Sequence, residues 1–317
     1  MLQYLLVTAK GIAMGAADVV PGVSGGTIAF ISGIYEELIE TIHKLDLGFF
    51  ELWKSRNFST AWKEYNLGFL VSLFGGVAIS ILSLAKLITF LLSEYPIFVW
   101  SFFFGLVIAS IFYVGKQIEK WNFKIIVALI LAVAFAFMIT LAKPLASGDS
   151  VWYLFVAGFI AIIAMILPGI SGAFILLLMG AYKTVIGTLT DLGEGLSTLN
   201  WQQFSGALLK ILVFGAGAII GLKAFSKVLN WMFKYHKNLI LSVLTGFMIG
   251  ALNKIWPWKE VLEYRIDSHG EKIPFLEKSI LPNQFENPQL FWAIIFMVFG
   301  FLAIFLLEII AVKKEKA

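Results

Sequence analysis

The residues best suited to chemistry cluster in one short stretch, Val19 to Phe30, which reads VVPGVSGGTIAF. Pro21 ends an incoming helix, because the residue before a proline disfavours helical backbone. Gly22, Gly25 and Gly26 permit tight turning and close backbone approach. Ser24 is suited to cap an outgoing helix, with Thr27 in its first turn. A helix start of this kind leaves backbone N–H groups free and carries the positive end of the helix dipole, which suits an anion and above all a phosphate. A second stretch, LPGISGAF from Leu167 to Phe174, repeats the pattern with Pro168, Gly169, Ser171 and Gly172. Two helix breaks, each followed by a candidate anion site, are therefore expected. The plainer reading, that proline and glycine merely kink apolar helices, accounts less well for a break that returns with its serine.

Four ionisable residues near apolar runs extend the candidate set. Asp18 lies one helical turn before the first break, and a carboxylate in such a run is a proton site, a sodium site or a structural partner of the broken backbone. Glu36 is a second ion-coupling candidate, although it and Glu37 read more readily as interfacial. Lys86 and Lys223 fall inside apolar runs, where each either snorkels or attracts phosphate, one on each side. The two copies differ: Asp18, Gly26, Thr27 and Glu36 correspond to Met165, Ala173, Phe174 and Lys183, so the first tip is the more polar. With no cysteine, disulfides, thiolate metal sites and cysteine nucleophiles are excluded. His43, His236 and His269 are not spaced as metal ligands, so no metal and no cofactor beyond a coupling H+ or Na+ is expected.

The elements that must hold these residues are apolar helices. The chain of 317 residues is 60% hydrophobic and 14% charged, with a mean hydropathy of +0.89. That composition belongs to a multi-spanning membrane protein, since a bilayer takes about 20 apolar residues per helix. Six continuous spans are expected, at Leu67–Leu92, Pro96–Gly115, Phe123–Ala142, Phe204–Leu229, Leu239–Ile255 and Leu290–Ala311. Two further segments, near 3–42 and 151–190, carry the motifs. The N-terminal run lacks a basic leader and does not read as a cleaved signal peptide. The formal charge of +4 reflects cytoplasmic loops rather than a nucleic-acid partner.

The halves are related. Aligning Pro21 on Pro168 also pairs Gly11 with Gly158, Ser24 with Ser171, Gly33 with Gly180 and Tyr35 with Tyr182. A small change of offset aligns FGGVAI from Phe74 with FGAGAI from Phe214, and brings Gly105 near Gly246. The expected architecture is one membrane domain over 1–317, with repeat 1 at about 1–145 and repeat 2 at about 148–317. Each half crosses an odd number of times, so the second is inverted, as in many secondary transporters. Lys10 before the first break and Glu36 and Glu37 after it bracket two arms of about 17 Å, half a bilayer, which favours a re-entrant hairpin. The fold expected is thus an all-α polytopic membrane protein with two re-entrant helical hairpins and about six transmembrane helices. Basic residues concentrate in the loops 43–65, 116–124 and 227–237 and in the tail, which sets those loops and both termini in the cytoplasm. The mixed-charge segment 256–288 is then an extracytoplasmic loop.

The run GAADVVPGVSGGTIAFISGIYEELI, its second copy ILPGISGAFILLLMGAY and the duplicated layout resemble the PopT family of polyprenyl-phosphate transporters, long a domain of unknown function. The resemblance covers nearly the whole chain and leaves only the 256–288 loop unmatched. It implies return of undecaprenyl phosphate, the lipid carrier of cell-wall sugars, from the outer to the cytoplasmic leaflet of a prokaryotic membrane. The partners implied are a lipid phosphate and the membrane, with coupling ion and oligomeric state left open. The motif is also similar to the PG-x-S-R-S loop of membrane undecaprenyl-pyrophosphate phosphatases, whose arginine clamps pyrophosphate. Here Gly25 and Gly172 stand in that place, and the only arginines are Arg56 and Arg265, both in loops. Hydrolysis therefore lacks its expected parts. An ion-coupled carrier of a small anion is the other alternative.

Overall fold

The apolar runs fold as helices. A computed structural model describes every residue except 1, 21, 46–47, 50–57, 146–149, 267–271 and 316–317. Helix α1 (Leu2–Val19) precedes the first break, followed by α2 (Gly25–Ile31) and α3 (Tyr35–Lys44). A short α4 (Phe58–Glu64) leads to α5 (Leu67–Glu94), α6 (Pro96–Gly115) and α7 (Phe123–Leu141). Then come α8 (Val151–Ile166), the second break, α9 (Gly172–Leu178) and α10 (Tyr182–Ser197), followed by α11 (Trp201–Tyr235) and α12 (Lys237–Ala251). A hairpin of β1 (Lys259–Ile266) and β2 (Lys272–Ser279) precedes α13 (Leu290–Glu315).

Local chemistry sets the boundaries. Asn122, Ser150 and Asn200 accept hydrogen bonds from the N–H groups of Ile125, Tyr153 and Gln203, capping α7, α8 and α11. Pro96 opens α6, where its missing N–H would have had no helical partner.

The surface is that of a membrane protein. Large apolar side chains such as Leu82, Phe123, Leu131, Met138, Ile219 and Phe291 stand exposed, which only lipid makes stable. Four helices are long and apolar enough to cross a bilayer: α5 (over Leu67–Leu84), α6, α7 and α11. The α9–α10 pair, bent by 106°, qualifies as a fifth when taken together. Four of the six expected spans are thus met at this length; the other two, at α12 and α13, are apolar helices whose described parts, Lys237–Ala251 and Leu290–Phe305, fall short of 18 residues. One reason is visible in α12, which stops at Ala251 instead of Ile255, because residues 252–255 turn toward the hairpin. The chain is an all-α polytopic membrane protein carrying one small β-hairpin.

Four helix pairs make most of the packing: α1 on α5, α8 on α11, α6 on α13 and α7 on α12. Small residues bring the backbones together in matching ways. Gly11 and Gly76 close the first pair against the carbonyls of Leu73 and Thr8, and Gly158 and Gly217 close the second against those of Phe214 and Phe155. The last two pairs each join one half of the chain to the other. Between the pairs lies a core of Tyr35, Ile39, Leu73, Leu241, Leu244 and Met248.

The segment 256–288 is not an irregular loop. Lys259 faces Ser279, Glu260 faces Lys278 and Val261 faces Glu277 across the antiparallel pair. Trp256 Nε1 donates to the Ile280 carbonyl at 2.9 Å, Trp258 Nε1 to that of Pro288 at 2.8 Å, and Ser279 Oγ to that of Asn253 at 3.0 Å. These bonds fasten the hairpin to the turn after α12. Its charged strands escape a reading built on apolar runs, although cross-strand pairs of opposite charge stabilise it.

Candidate functional site

The two breaks share one backbone geometry. Gly22 and Gly169 have φ of +87° and +84°, and Gly33 and Gly180 have +72° and +69°. Those left-handed values exclude ordinary side chains at little cost to glycine. Ser24 and Ser171 are both extended N-caps, accepting from the N–H groups of Gly26 at 3.1 Å and Phe174 at 3.4 Å. Pro21, expected as a helix-breaker with Pro168, lies outside the described residues; Pro168 sits in the turn between α8 and α9.

The first break docks on the second. Ser24 Oγ lies 3.2 Å from the Leu167 carbonyl, to which it donates, with the Met165 carbonyl at 3.5 Å. Thr27 Oγ1 accepts from Gly169 N–H at 3.0 Å. Gly26 lies so close that a Cβ there would stand 2.6 Å from the Ile166 carbonyl oxygen. The polar tip of one motif thus satisfies the groups left unpaired where α8 ends, as burial requires.

Asp18 braces the same tip. Its Oδ1 accepts from Gly25 N–H at 2.7 Å, and its carboxylate fills the space a side chain at residue 25 would need: a Cβ would stand 2.5 Å from Oδ2. Together with Ser24 on Gly26 N–H, and the Ser24 carbonyl on Thr27 N–H at 2.9 Å, this leaves the first helix start closed. The amides expected to stand open at Gly25, Gly26 and Thr27 are occupied, because the acid and the cap come from the motif itself. Gly172, at the second start, packs against the Ala161 carbonyl.

The remaining expected residues are elsewhere. Glu36 is exposed in the first turn of α3, beyond α2 and the Gly33 turn, and pairs with Lys237 at 3.0 Å. Lys86 is exposed on α5. Lys223 neither snorkels nor reaches the breaks: its Nζ donates to the carbonyls of Ile42 at 3.1 Å, His43 at 2.9 Å and Leu45, where α3 ends. That is a cation at a helix C-terminus, where the dipole favours it. Lys10 acts alike, donating to the Ser32 carbonyl at 2.5 Å, at the end of α2. Lys223 also borders a cavity of about 950 Å³ with His43, Lys44, Lys227 and the apolar Ile219 and Ile220.

Lys254 is the cation that does reach the breaks. It lies in the turn after α12, and a Cβ on Gly22 would stand 2.7 Å from its Cγ. Its Nζ sits 4.7 Å from the ring centroid of Phe174, at the second break, and 3.3 Å from Glu277 Oε2 on β2. The sole sequence signal was a lysine at the end of an apolar run, which is also what snorkelling produces.

The family model described as VCA0040-like, undecaprenyl phosphate translocase-like, matches residues 14–273. The chain belongs to this family. The match takes in both breaks, Asp18 and Lys254, whereas Glu277 lies beyond its end. A protein of Vibrio cholerae serotype O1 named polyprenyl-phosphate transporter is 44% identical over 286 residues, 90% of this chain and 88% of that protein. One of Staphylococcus aureus with the same name is 33% identical over 261 residues, 78% of this chain and 84% of its own. No solved structure matches the chain.

Proposed function

We propose that this chain carries a polyprenyl phosphate, with undecaprenyl phosphate as the lipid, from the outer to the cytoplasmic leaflet of the cell membrane. Family membership and the names of the two relatives support the substrate class. The observation that carries the reading is the direct docking of one helix break on the other, with Lys254 against both. A carrier of this kind needs a polar site reachable from two sides, and broken helices supply irregular backbone only where protein surrounds it. The matched φ values, the matched N-caps and the matched glycine contacts favour two inverted repeats, 1–145 and 148–317, that rock about this contact with the motif segments re-entrant. Rocking would exchange the Ser24–Leu167 and Thr27–Gly169 hydrogen bonds for bonds to the headgroup. Asp18 is the carboxylate suited to carry a coupling proton or sodium, since releasing Gly25 N–H would open the first helix start. The basic loops favour cytoplasmic termini and a hairpin on the opposite side.

Transport is favoured over hydrolysis by the room at residue 25. An arginine there, as in the phosphatase loop, would collide with Asp18. The test is a leaflet-resolved assay of undecaprenyl phosphate in proteoliposomes. Wild type is expected to move the lipid, and Ser24→Ala and Asp18→Asn to abolish movement while remaining folded and inserted. Full transport by both variants would sink the assignment of the site. Release of phosphate from undecaprenyl pyrophosphate by the purified protein would turn the reading to hydrolysis.

A further inference from the structure

A charge cluster beside the breaks is left without a role by the motifs. Glu277 Oε2 lies 3.3 Å from Lys254 Nζ and 3.6 Å from Lys259 Nζ. The side chains are nearly enclosed: 16% of Lys254, 6% of Lys259 and 18% of Glu277 is exposed. Lys259 Nζ lies 3.4 Å from the ring centroid of Trp100, on α6, and makes no hydrogen bond among the described residues.

One carboxylate therefore faces two ammonium groups, and one positive charge is left over in an almost dry place. An ammonium has three N–H donors, and burying them without acceptors is costly. A dianionic phosphate monoester matches what is missing. It brings a second negative charge and three acceptor oxygens, and lysine binds phosphate as a point charge. The cluster also adjoins the breaks, because the Lys254 stem covers Gly22 and its Nζ faces Phe174.

We propose that Lys254 and Lys259 form the binding site for a phosphate monoester, and that Glu277 is an internal counter-ion which the phosphate displaces. In the absence of ligand Glu277 holds the two lysines together. When phosphate takes its place, the hairpin loses an anchor over the breaks and keeps the bonds from Ser279 and Trp256. That the phosphate belongs to a lipid rests on the transport reading above; the chemistry of the site would serve inorganic phosphate as well.

The full chain in lipid nanodiscs is titrated with undecaprenyl phosphate and, separately, with inorganic phosphate, in wild type, Lys254→Gln, Lys259→Met and Glu277→Gln. Each lysine variant is expected to weaken binding of the lipid phosphate about tenfold or more, the loss of a charged hydrogen bond. Glu277→Gln is expected to tighten it, because the competing anion is gone. Folded lysine variants that bind as wild type, or a Glu277→Gln variant that binds more weakly, overturn the site. Should the lysine variants fail to fold, the direction of the Glu277→Gln effect decides. Binding of inorganic phosphate alone, lost in the lysine variants, upholds the site and removes the lipid reading. Wild-type transport of the lipid with no effect of any variant does the reverse.

Discussion

Replacing Gly25 by alanine tests whether Asp18 and Gly25 act as one unit. The new Cβ would stand 2.5 Å from Oδ2, 2.8 Å from Cγ and 2.9 Å from Oδ1 of Asp18. Reaching an ordinary contact near 3.4 Å moves the carboxylate back by about 0.9 Å, which stretches the 2.7 Å bond from Gly25 N–H to about 3.6 Å, no longer a hydrogen bond. A hydrogen bond to a charged group is worth about 1.5–3 kcal/mol, and its loss here leaves a buried amide unpaired. Gly25→Ala is therefore expected to cost about 2 kcal/mol and to lower the thermal midpoint of the detergent-purified protein by several degrees. In an Asp18→Ala background the space is empty and the bond already gone, so the same substitution should cost little. The coupling energy of this double-mutant cycle is then about 1.5–3 kcal/mol. A Gly25→Ala protein as stable as wild type, or an equal penalty in both backgrounds, would refute the reasoning.

Other outcomes follow from the same contacts. Because the chain has no cysteine, the pair Asn253→Cys and Ser279→Cys, at residues in contact through a 3.0 Å hydrogen bond, can be oxidised cleanly. The crosslink is expected to leave binding of the lipid phosphate at the wild-type level, because this is the bond the hairpin keeps when phosphate displaces Glu277; binding lost on oxidation and restored by reductant would show that the hairpin must detach here. Burial pushes the Lys259 ammonium down to about 7, with Glu277 opposing and Lys254 adding to the fall. Below pH 7 folded and unfolded chains both hold that proton. Between pH 7 and the free-lysine value of 10.5 the unfolded chain binds more protons, so stability rises with pH, by up to about 1.4 kcal/mol per unit. Thermal midpoints from pH 7 to pH 9 should show this rise in wild type, and Lys259→Met should lack that component. Lys223→Met is expected to destabilise by about 1–2 kcal/mol through the lost cap on α3, whereas Glu36→Gln, which breaks only an exposed pair, should change stability by less than about 0.5 kcal/mol.

The legible features were those written in local chemistry. Long apolar runs announced the membrane helices, and Pro168, Gly169, Ser171 and their first-copy counterparts announced where helices stop and restart. Asp18 stood out because a carboxylate in an apolar run needs a reason. What escaped was partner choice. Lys223 read as a charge near lipid and Lys10 as the start of a re-entrant arm, yet each donates to carbonyls where another helix ends. Glu36 is set apart from Asp18 by α2 and the left-handed turn at Gly33, after which it faces Lys237. The hairpin strands carry Glu260, Glu263, Lys278 and other charges, so a search for apolar runs passed over them.

By itself the sequence determined membrane residence, the two helix breaks and the family resemblance, because these depend on composition and on neighbours a few residues apart. Tertiary structure alone decided that the breaks dock on each other, that Asp18 and Ser24 close the first helix start, and that Lys254, Lys259 and Glu277 meet beside it. Those contacts join residues as far apart as Thr27 and Gly169. Their energies come from burial and unpaired hydrogen-bonding groups, which exist only once the helices have packed.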